Sequence, residues 1–272
     1  MEQKKVTFIG AGNMARSIIA GLVASGYPAN LITATDPNED QRSFLAKTYG
    51  INTEADNLAA VKDADAIVLA VKPQLMEVVA NGLSGTDYSD KLVISIAAGI
   101  SAQRLNEMFG ATLNLVRVMP NTPALVGRGM SGLYAPEHVS EQDKAFAASL
   151  LEAVGKVCWV EQESGINNVI AAAGSAPAYF FLFMEAMQAE AIAQGFDKDT
   201  ARLLVQQSAL GAAEMVIANA DTELSTLREQ VTSKGGTTAE ALRTFNEHQL
   251  SDIVAKAMQA AVTRAEEMEK LF

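Results

Sequence analysis

The chain reads as an α/β protein, with a doubly wound parallel sheet in its first half and an all-helical segment after it. Three observations predict this. Short apolar runs alternate with helical patterns from Val6 to about residue 160, the pattern of a parallel sheet joined by right-handed crossovers. A glycine-rich turn follows the first of those runs directly. All seven prolines lie at or before Pro177, and the residues beyond are rich in the helix formers Ala, Leu, Met, Glu and Gln.

Taken in order, Val6–Ile9 is the first strand, and Asn13–Ser25 is a helix with Met14, Ile18, Gly21 and Leu22 inward. Leu31–Ala34 is the second strand, and Glu39–Tyr49 is a helix stopped by Gly50. Ala66-Ile67-Val68-Leu69-Ala70-Val71 is an unbroken apolar run, which suits a central strand covered on both faces. Pro73 favours a helix start and leads one to Gly82. Strand Leu92–Ile96, helix Ser101–Phe109 and strand Leu113–Val118 follow. Strands Met130–Tyr134 and Lys156–Val160 flank helix Glu141–Val154. The helical segment is expected from Glu163 onward, giving domains 1–162 and 163–272, with breaks at Gly195, Asn219–Asp221 and Gly235–Gly236. Its apolar content exceeds what one small helical layer can bury, which predicts an interlocked homodimer.

Composition bounds the function. The 272 residues are 49% hydrophobic and 19% charged, enough for a large core and unlike a disordered chain. With 21 basic against 32 acidic residues the net charge is −11, so the global basic footprint of a nucleic-acid binder is missing. The lone Cys158 rules out an intramolecular disulfide, and beside Trp159 it reads as a buried thiol. One cysteine with two distant histidines, His138 and His248, supplies too few ligands for a zinc site, so no metal is expected. No charge falls between Glu163 and Glu185. Gly165, Asn167, Asn168, Gly174, Ser175 and Pro177 interrupt that stretch, so it reads as two buried helical pieces rather than a membrane span. A cytoplasmic protein without membrane contact is expected.

The strongest local signal is Gly10-Ala11-Gly12-Asn13-Met14-Ala15, a G-x-G-x-x-A turn between a strand and a helix. Gly10 permits the tight turn, Gly12 lets the backbone approach a pyrophosphate, and Ala15 allows close helix–strand packing. The helix start then offers free N–H groups to the anion. At the end of the second strand, Asp36 suits the ribose 2′-OH of NAD. Thr35, Asn38, Asn57 and Arg42 offer donors for the 2′-phosphate of NADP, so NADH and NADPH both stay open. Further loops at strand ends are Ala70-Val71-Lys72-Pro73, the Ala97–Gly99 turn, and Asn121-Thr122-Pro123. Asn121 and Thr122 can bond a ribose or the nicotinamide amide, and Lys72 brings a positive charge to the same crevice.

The second informative segment is Val231-Thr232-Ser233-Lys234-Gly235-Gly236-Thr237-Thr238. Thr237 and Glu240 have capping-box spacing, so the segment reads first as a capped helix after a glycine turn. Its paired glycines and exposed N–H groups would also suit a small anion such as a carboxylate. Similarly, Ser175 can cap a helix with Pro177 near its start, and Tyr179 can line a pocket or simply pack.

Jointly these motifs resemble those of the pyrroline-5-carboxylate reductases. The resemblance rests on Phe8–Ala15, Ala70–Pro73, Ser95–Gly99, Arg117–Ala124, Gly174–Tyr179 and Ser233–Thr238, in that order across nearly the whole chain. It implies reduction of 1-pyrroline-5-carboxylate to L-proline by NADPH or NADH. It also implies a dinucleotide-binding Rossmann domain followed by a helical dimerisation domain, the site between protomers, and in some members a pentamer of dimers. The carboxylate would sit at Val231, Thr232, Ser233, Gly235, Gly236, Thr237 and Thr238, with Thr238 near the ring nitrogen. The chain departs from the family in having Lys234 before the glycine pair, where proline is usual, and Ala173 and Ala176 around Gly174-Ser175. No histidine, cysteine or carboxylate pair offers an obvious acid, so the proton would come with the substrate, from Thr238 or from water, with Glu223 and Lys72 as tuning groups. A β-hydroxyacid dehydrogenase shares the architecture but uses a lysine on the first long helix of its second domain, and residues 157–197 hold neither Lys nor Arg. A non-catalytic dinucleotide sensor would not need the second motif.

Overall fold

The computed structural model describes residues 3–271. The chain forms two compact units, one made of the residues up to Ser175 together with those from Ala261 onward, the other of Ala176–Ala260. The division by compactness thus falls later than residue 163, where the composition changes. The reason is local: Gly165–Gly174 packs on the sheet, and the chain's last helix returns to it.

The first unit is built on eight strands: β1 (Val6–Ile9), β2 (Ile32–Thr35), β3 (Asn52–Glu54), β4 (Ala66–Leu69), β5 (Leu92–Ser95), β6 (Asn114–Met119), β7 (Gly129–Tyr134) and β8 (Gly155–Trp159). Their order is β3-β2-β1-β4-β5-β6-β7-β8, and every neighbouring pair is parallel except β6 with β7. Order therefore reverses between β1 and β4, the topological switch point of a doubly wound sheet. Successive strand residues bury to opposite faces. Phe8, Val68 and Ile94 join one apolar layer with Ile18, Leu22 and Phe146. Ile9, Ile67 and Leu69 join the other with Met76, Leu83 and Leu105. This is why the strands read as continuous apolar runs rather than alternating ones.

The helices of this unit begin with α1 (Asn13–Ala24), α2 (Glu39–Tyr49), α3 (Asn57–Val61), α4 (Met76–Gly82), α5 (Ala102–Phe109) and α6 (Glu141–Glu152). Asn38, Ser101 and Ser140 cap α2, α5 and α6 with their side chains. α7 (Gly165–Val169) runs into a wider turn over Ile170–Gly174, where Ser175 N–H donates five residues back to Ile170 O (2.8 Å). Ser175 has helical backbone angles there, not those of an N-cap. In the second unit lie α8 (Ala176–Ala193), α9 (Lys198–Ala218), α10 (Leu224–Gln230) and α11 (Thr237–Glu247), and α12 (Leu250–Glu269) ends in the first.

A buried guanidinium explains that return. Arg117 on β6 is 3% exposed and pairs with Glu163 (2.5 Å) and with Glu269 at the end of α12 (3.6 Å). Glu163 also accepts from the N–H of Ala102 at the start of α5 (2.6 Å), and Asn167 reaches Glu269 (3.3 Å). Beside this cluster, burial first and Glu163 second push the Tyr134 phenol up.

Four sequence expectations need correction. The short edge strand β3 and helix α3 were not foreseen, because a three-residue edge strand reading Asn-Thr-Glu has no apolar signature. Cys158 is half-buried, not buried, because β8 is the other edge of the sheet. The piece Ala176–Ala193 is not buried within its own chain: Phe180, Phe181 and Leu182 are each more than 60% exposed. The Thr237–Glu240 capping box does not form. Gly236 is the N-cap of α11, without a side-chain bond, and Glu240 pairs with Arg243 instead.

Candidate active site

At the switch point the chain turns at Gly10-Ala11-Gly12. Gly10 has φ +101°, and a Cβ there would lie 2.8 Å from Ala70 O and 3.1 Å from Val71 Cγ1. Packing alone therefore demands glycine at this position. At Gly12 the opposite holds: its backbone is ordinary extended chain (φ −69°, ψ 179°), and a Cβ would meet nothing within 4 Å. The fold does not require that second glycine, so the space beside it is available to a ligand. Gly12 is also the N-cap of α1, and no side chain caps the helix. The first-turn N–H groups, from exposed Asn13 and half-buried Met14 onward, stay open to an anion. Ala15 is 1% exposed and carries the predicted helix–sheet contact. The turn fits a dinucleotide pyrophosphate on geometry.

The other expected nucleotide residues follow the carboxyl ends of the neighbouring strands. Ala11 N–H donates to Asp36 Oδ2 (3.1 Å) and Gly10 N–H to Thr35 O (2.9 Å), joining the turn to the end of β2. β4 ends at Leu69, half-buried Ala70 and Val71 follow it, and Pro73 opens a short helical turn over Pro73–Leu75 behind exposed Lys72. Ala97 and Gly99 follow β5 and are buried, Gly99 with φ +74°. Thr122 and Pro123 start a short helical turn after β6.

Two of these side chains have other tasks than those expected. Thr35 is 1% exposed, and its hydroxyl donates to Asn57 Oδ1 (2.6 Å), so it positions Asn57 rather than meeting a 2′-phosphate. Asn121 is 7% exposed; its Nδ2 donates to Ala173 O (3.0 Å) and its Oδ1 accepts from Met130 N–H (2.8 Å). It ties the β6 loop to β7 and to the wide turn before Ser175, a structural task for a side chain read as a ribose ligand. Asn121→Ala leaves two half-buried main-chain groups without their partner and is expected to cost about 1–3 kcal/mol in denaturant unfolding. Asn121→Asp, which lacks the donor to Ala173 O, should also destabilise. A stability within about 0.5 kcal/mol of the parent would show the ties to be idle.

The second set of expected residues lies in the other unit. Val231, Thr232 and Ser233 follow α10, whose N-cap is exposed Glu223. Gly235 has φ +71°, and Gly236 N–H closes the turn onto Ser233 O (3.0 Å). A Cβ on Gly236 would meet the Ser233 hydroxyl, which can rotate away, and would lie 3.1 Å from Ser233 O, a tight approach. Thr237 and Thr238 are the first residues of α11, both exposed, above N–H groups that no side chain caps. The loop is small, electropositive at its N–H groups and rimmed by hydroxyls, a composition suited to a carboxylate.

Comparison with known proteins shows the family. Residues 5–99 match a family model described as NADP oxidoreductase, coenzyme F420-dependent, and residues 163–268 match one described as pyrroline-5-carboxylate reductase dimerisation. The pyrroline-5-carboxylate reductase of Vibrio alginolyticus is 74% identical over 272 residues, covering all of both chains. This chain belongs to the pyrroline-5-carboxylate reductase family. The solved reductase from Coxiella burnetii superposes with a TM-score of 0.92 at 41% identity, covering 98% of this chain and 99% of that one. The reductase of Plasmodium falciparum, solved with NADP bound, superposes at 0.86 and 28% identity over 99% of each chain. The family's sheet and helical parts, and its dimerisation segment, are thus all present.

Proposed function

We propose that the chain reduces 1-pyrroline-5-carboxylate to L-proline at the expense of NADPH or NADH. The observation that carries this reading is the full-length likeness to the Vibrio alginolyticus reductase. The uncapped helix at Gly12 supports a pyrophosphate there, and the Gly235–Gly236 loop supports a small carboxylate.

When bound, the reduced nicotinamide supplies a hydride to the imine carbon, and the ring nitrogen takes up one proton. The protein binds, orients and protonates. N–H groups at the start of α1 hold the pyrophosphate, and the Ala70–Pro73, Ala97–Gly99 and Thr122–Pro123 segments shape the wall of the nicotinamide side. Ser233 to Thr238 hold the substrate carboxylate. Thr238 Oγ1 donates at the ring nitrogen, directly or through water, and Lys72 and Glu223 adjust the local charge. Orientation is the main contribution, since holding two reactants in register lowers the barrier by up to roughly 7–11 kcal/mol. The test is loss of absorbance at 340 nm on adding pyrroline-5-carboxylate to the protein with either nucleotide. Oxidation is expected, and turnover with neither nucleotide would refute the reading.

The apolar faces of the second unit call for a partner. Helix α8 is largely apolar, broken only by Glu185, Gln188 and Glu190, yet exposed, with Phe183, Met187 and Ile192 each more than 40% accessible; such a helix is stable when covered. By length and composition Gly165–Ala193 would suffice to cross a membrane, but we assign its faces to a second copy of this chain, because they lie within the segment matching the family's dimerisation model. A homodimer is expected by sedimentation velocity at micromolar concentration, and assembly of five dimers is the higher state we propose. A monomer would contradict the interlocked arrangement. We place the enzyme in the cytoplasm.

A further inference from the structure

The geometry points to Arg42 as the residue that binds the 2′-phosphate of NADPH and sets selectivity for it over NADH. This rests on the nucleotide site proposed above. At a switch point of this kind the adenosine ribose lies beside the end of the second strand, where an acid favours a 2′-OH and an arginine a 2′-phosphate. Here the acid, Asp36, is already engaged. Its Oδ2 accepts from Ala11 N–H (3.1 Å) and its Oδ1 from Asn38 N–H (2.9 Å), so the carboxylate is part of the wall of the turn.

The other polar groups at this corner are engaged as well. Asn38 caps α2 through Asp40 N–H (2.8 Å), and the Thr35 hydroxyl faces Asn57. Arg16 donates to Ala11 O and to Gln41, and its guanidinium stacks on the Phe44 ring (4.6 Å). Arg42 differs. From the first turns of α2 it reaches back over the end of β2 and donates Nη1–H to Asp36 O (2.5 Å). It is half-buried and forms no ion pair with a carboxylate among the described residues. One donor anchors it, which leaves most of its five-donor fork for an incoming anion. Glu39 and Asp40, both exposed in the first turn of α2, oppose a second phosphate charge through solvent. The selectivity should therefore be moderate rather than absolute.

The experiment compares adenosine 2′,5′-bisphosphate with 5′-AMP by calorimetric titration of the full-length protein and its Arg42→Ala, Arg42→Gln and Arg42→Lys variants. The parent should bind the bisphosphate about 10- to 100-fold more tightly than AMP, the advantage of a charge-assisted contact. In Arg42→Ala and Arg42→Gln that advantage should fall to within about threefold, with Arg42→Lys between. Gln keeps a donor for Asp36 O, so a loss shared by Ala and Gln is not a folding effect. The ratio of kcat/KM for NADPH to that for NADH should fall in parallel. Equal binding of the two nucleotides by the parent, or an unchanged advantage in both neutral variants, overturns the assignment. The two readings fail separately: if the bisphosphate preference follows Arg42 but pyrroline-5-carboxylate is not reduced, only the reaction is wrong. If the substrate is reduced and the nucleotide ratio ignores Arg42, only this assignment is.

Discussion

Gly12→Val is expected to raise the Kd for the nucleotide by at least about 100-fold, since it fills the one approach that the pyrophosphate has to the backbone. The same change should leave the thermal transition within a few degrees of the parent's. Valine tolerates the extended angles of Gly12, and a Cβ there meets no protein atom within 4 Å. Gly10→Ala gives the contrasting outcome. The φ of +101° and the 2.8 Å approach to Ala70 O make any side chain a source of strain. A cost of at least about 1–3 kcal/mol in stability is expected there. Fluorescence titration with NADPH and differential scanning calorimetry separate the two effects. If Gly12→Val unfolds, or binds nucleotide normally, the turn is not the pyrophosphate site.

Thr238→Ala should lower single-turnover hydride transfer by about 100-fold, the usual scale for losing a positioned proton donor. Thr238→Ser should restore most of it, because the hydroxyl rather than the methyl carries the effect. Thr238 is exposed on the first turn of α11, so the substitution buries nothing and removes no cap. A stability loss is therefore not expected to confuse the result. The deficit should shrink at low pH, where substrate arrives already protonated. An unchanged rate across pH would remove Thr238 from the chemistry and leave water as the donor.

The sheet was readable because it is covered on both faces: β1, β4 and β5 stand out as mainly apolar runs, and β6 is apolar but for Asn114 and the buried Arg117. What eluded the sequence has a physical reason in each case. β3 lies at an edge, three residues long and polar, and makes no demand on hydrophobicity. Asn121 looked like a ribose ligand because amides serve both purposes; only the positions of Ala173 O and Met130 N–H reveal it as a tie. The capping box at Thr237 does not form because the helix starts one residue earlier than the spacing needs: Gly236 is the N-cap and has no side chain to cap with. Helix α8 was expected to be buried on composition, and its composition is that of a buried helix. Within the chain nothing covers Phe180, Phe181 and Leu182, and the same apolar excess that made the helix look buried is what predicts a second copy. Arg42 was visible as one of several donors near Asp36, but its availability depends on which neighbours are engaged.

The most direct measurement is a crystal structure of the full-length protein with NADP+ and L-proline bound together. The carboxylate of proline should lie on the Ser233–Thr238 loop, with the ring carbon next to nitrogen facing the nicotinamide C4 at near-attack distance, about 3–3.5 Å. Proline bound elsewhere, or that loop remote from the nicotinamide in every pairing of protomers, would contradict it.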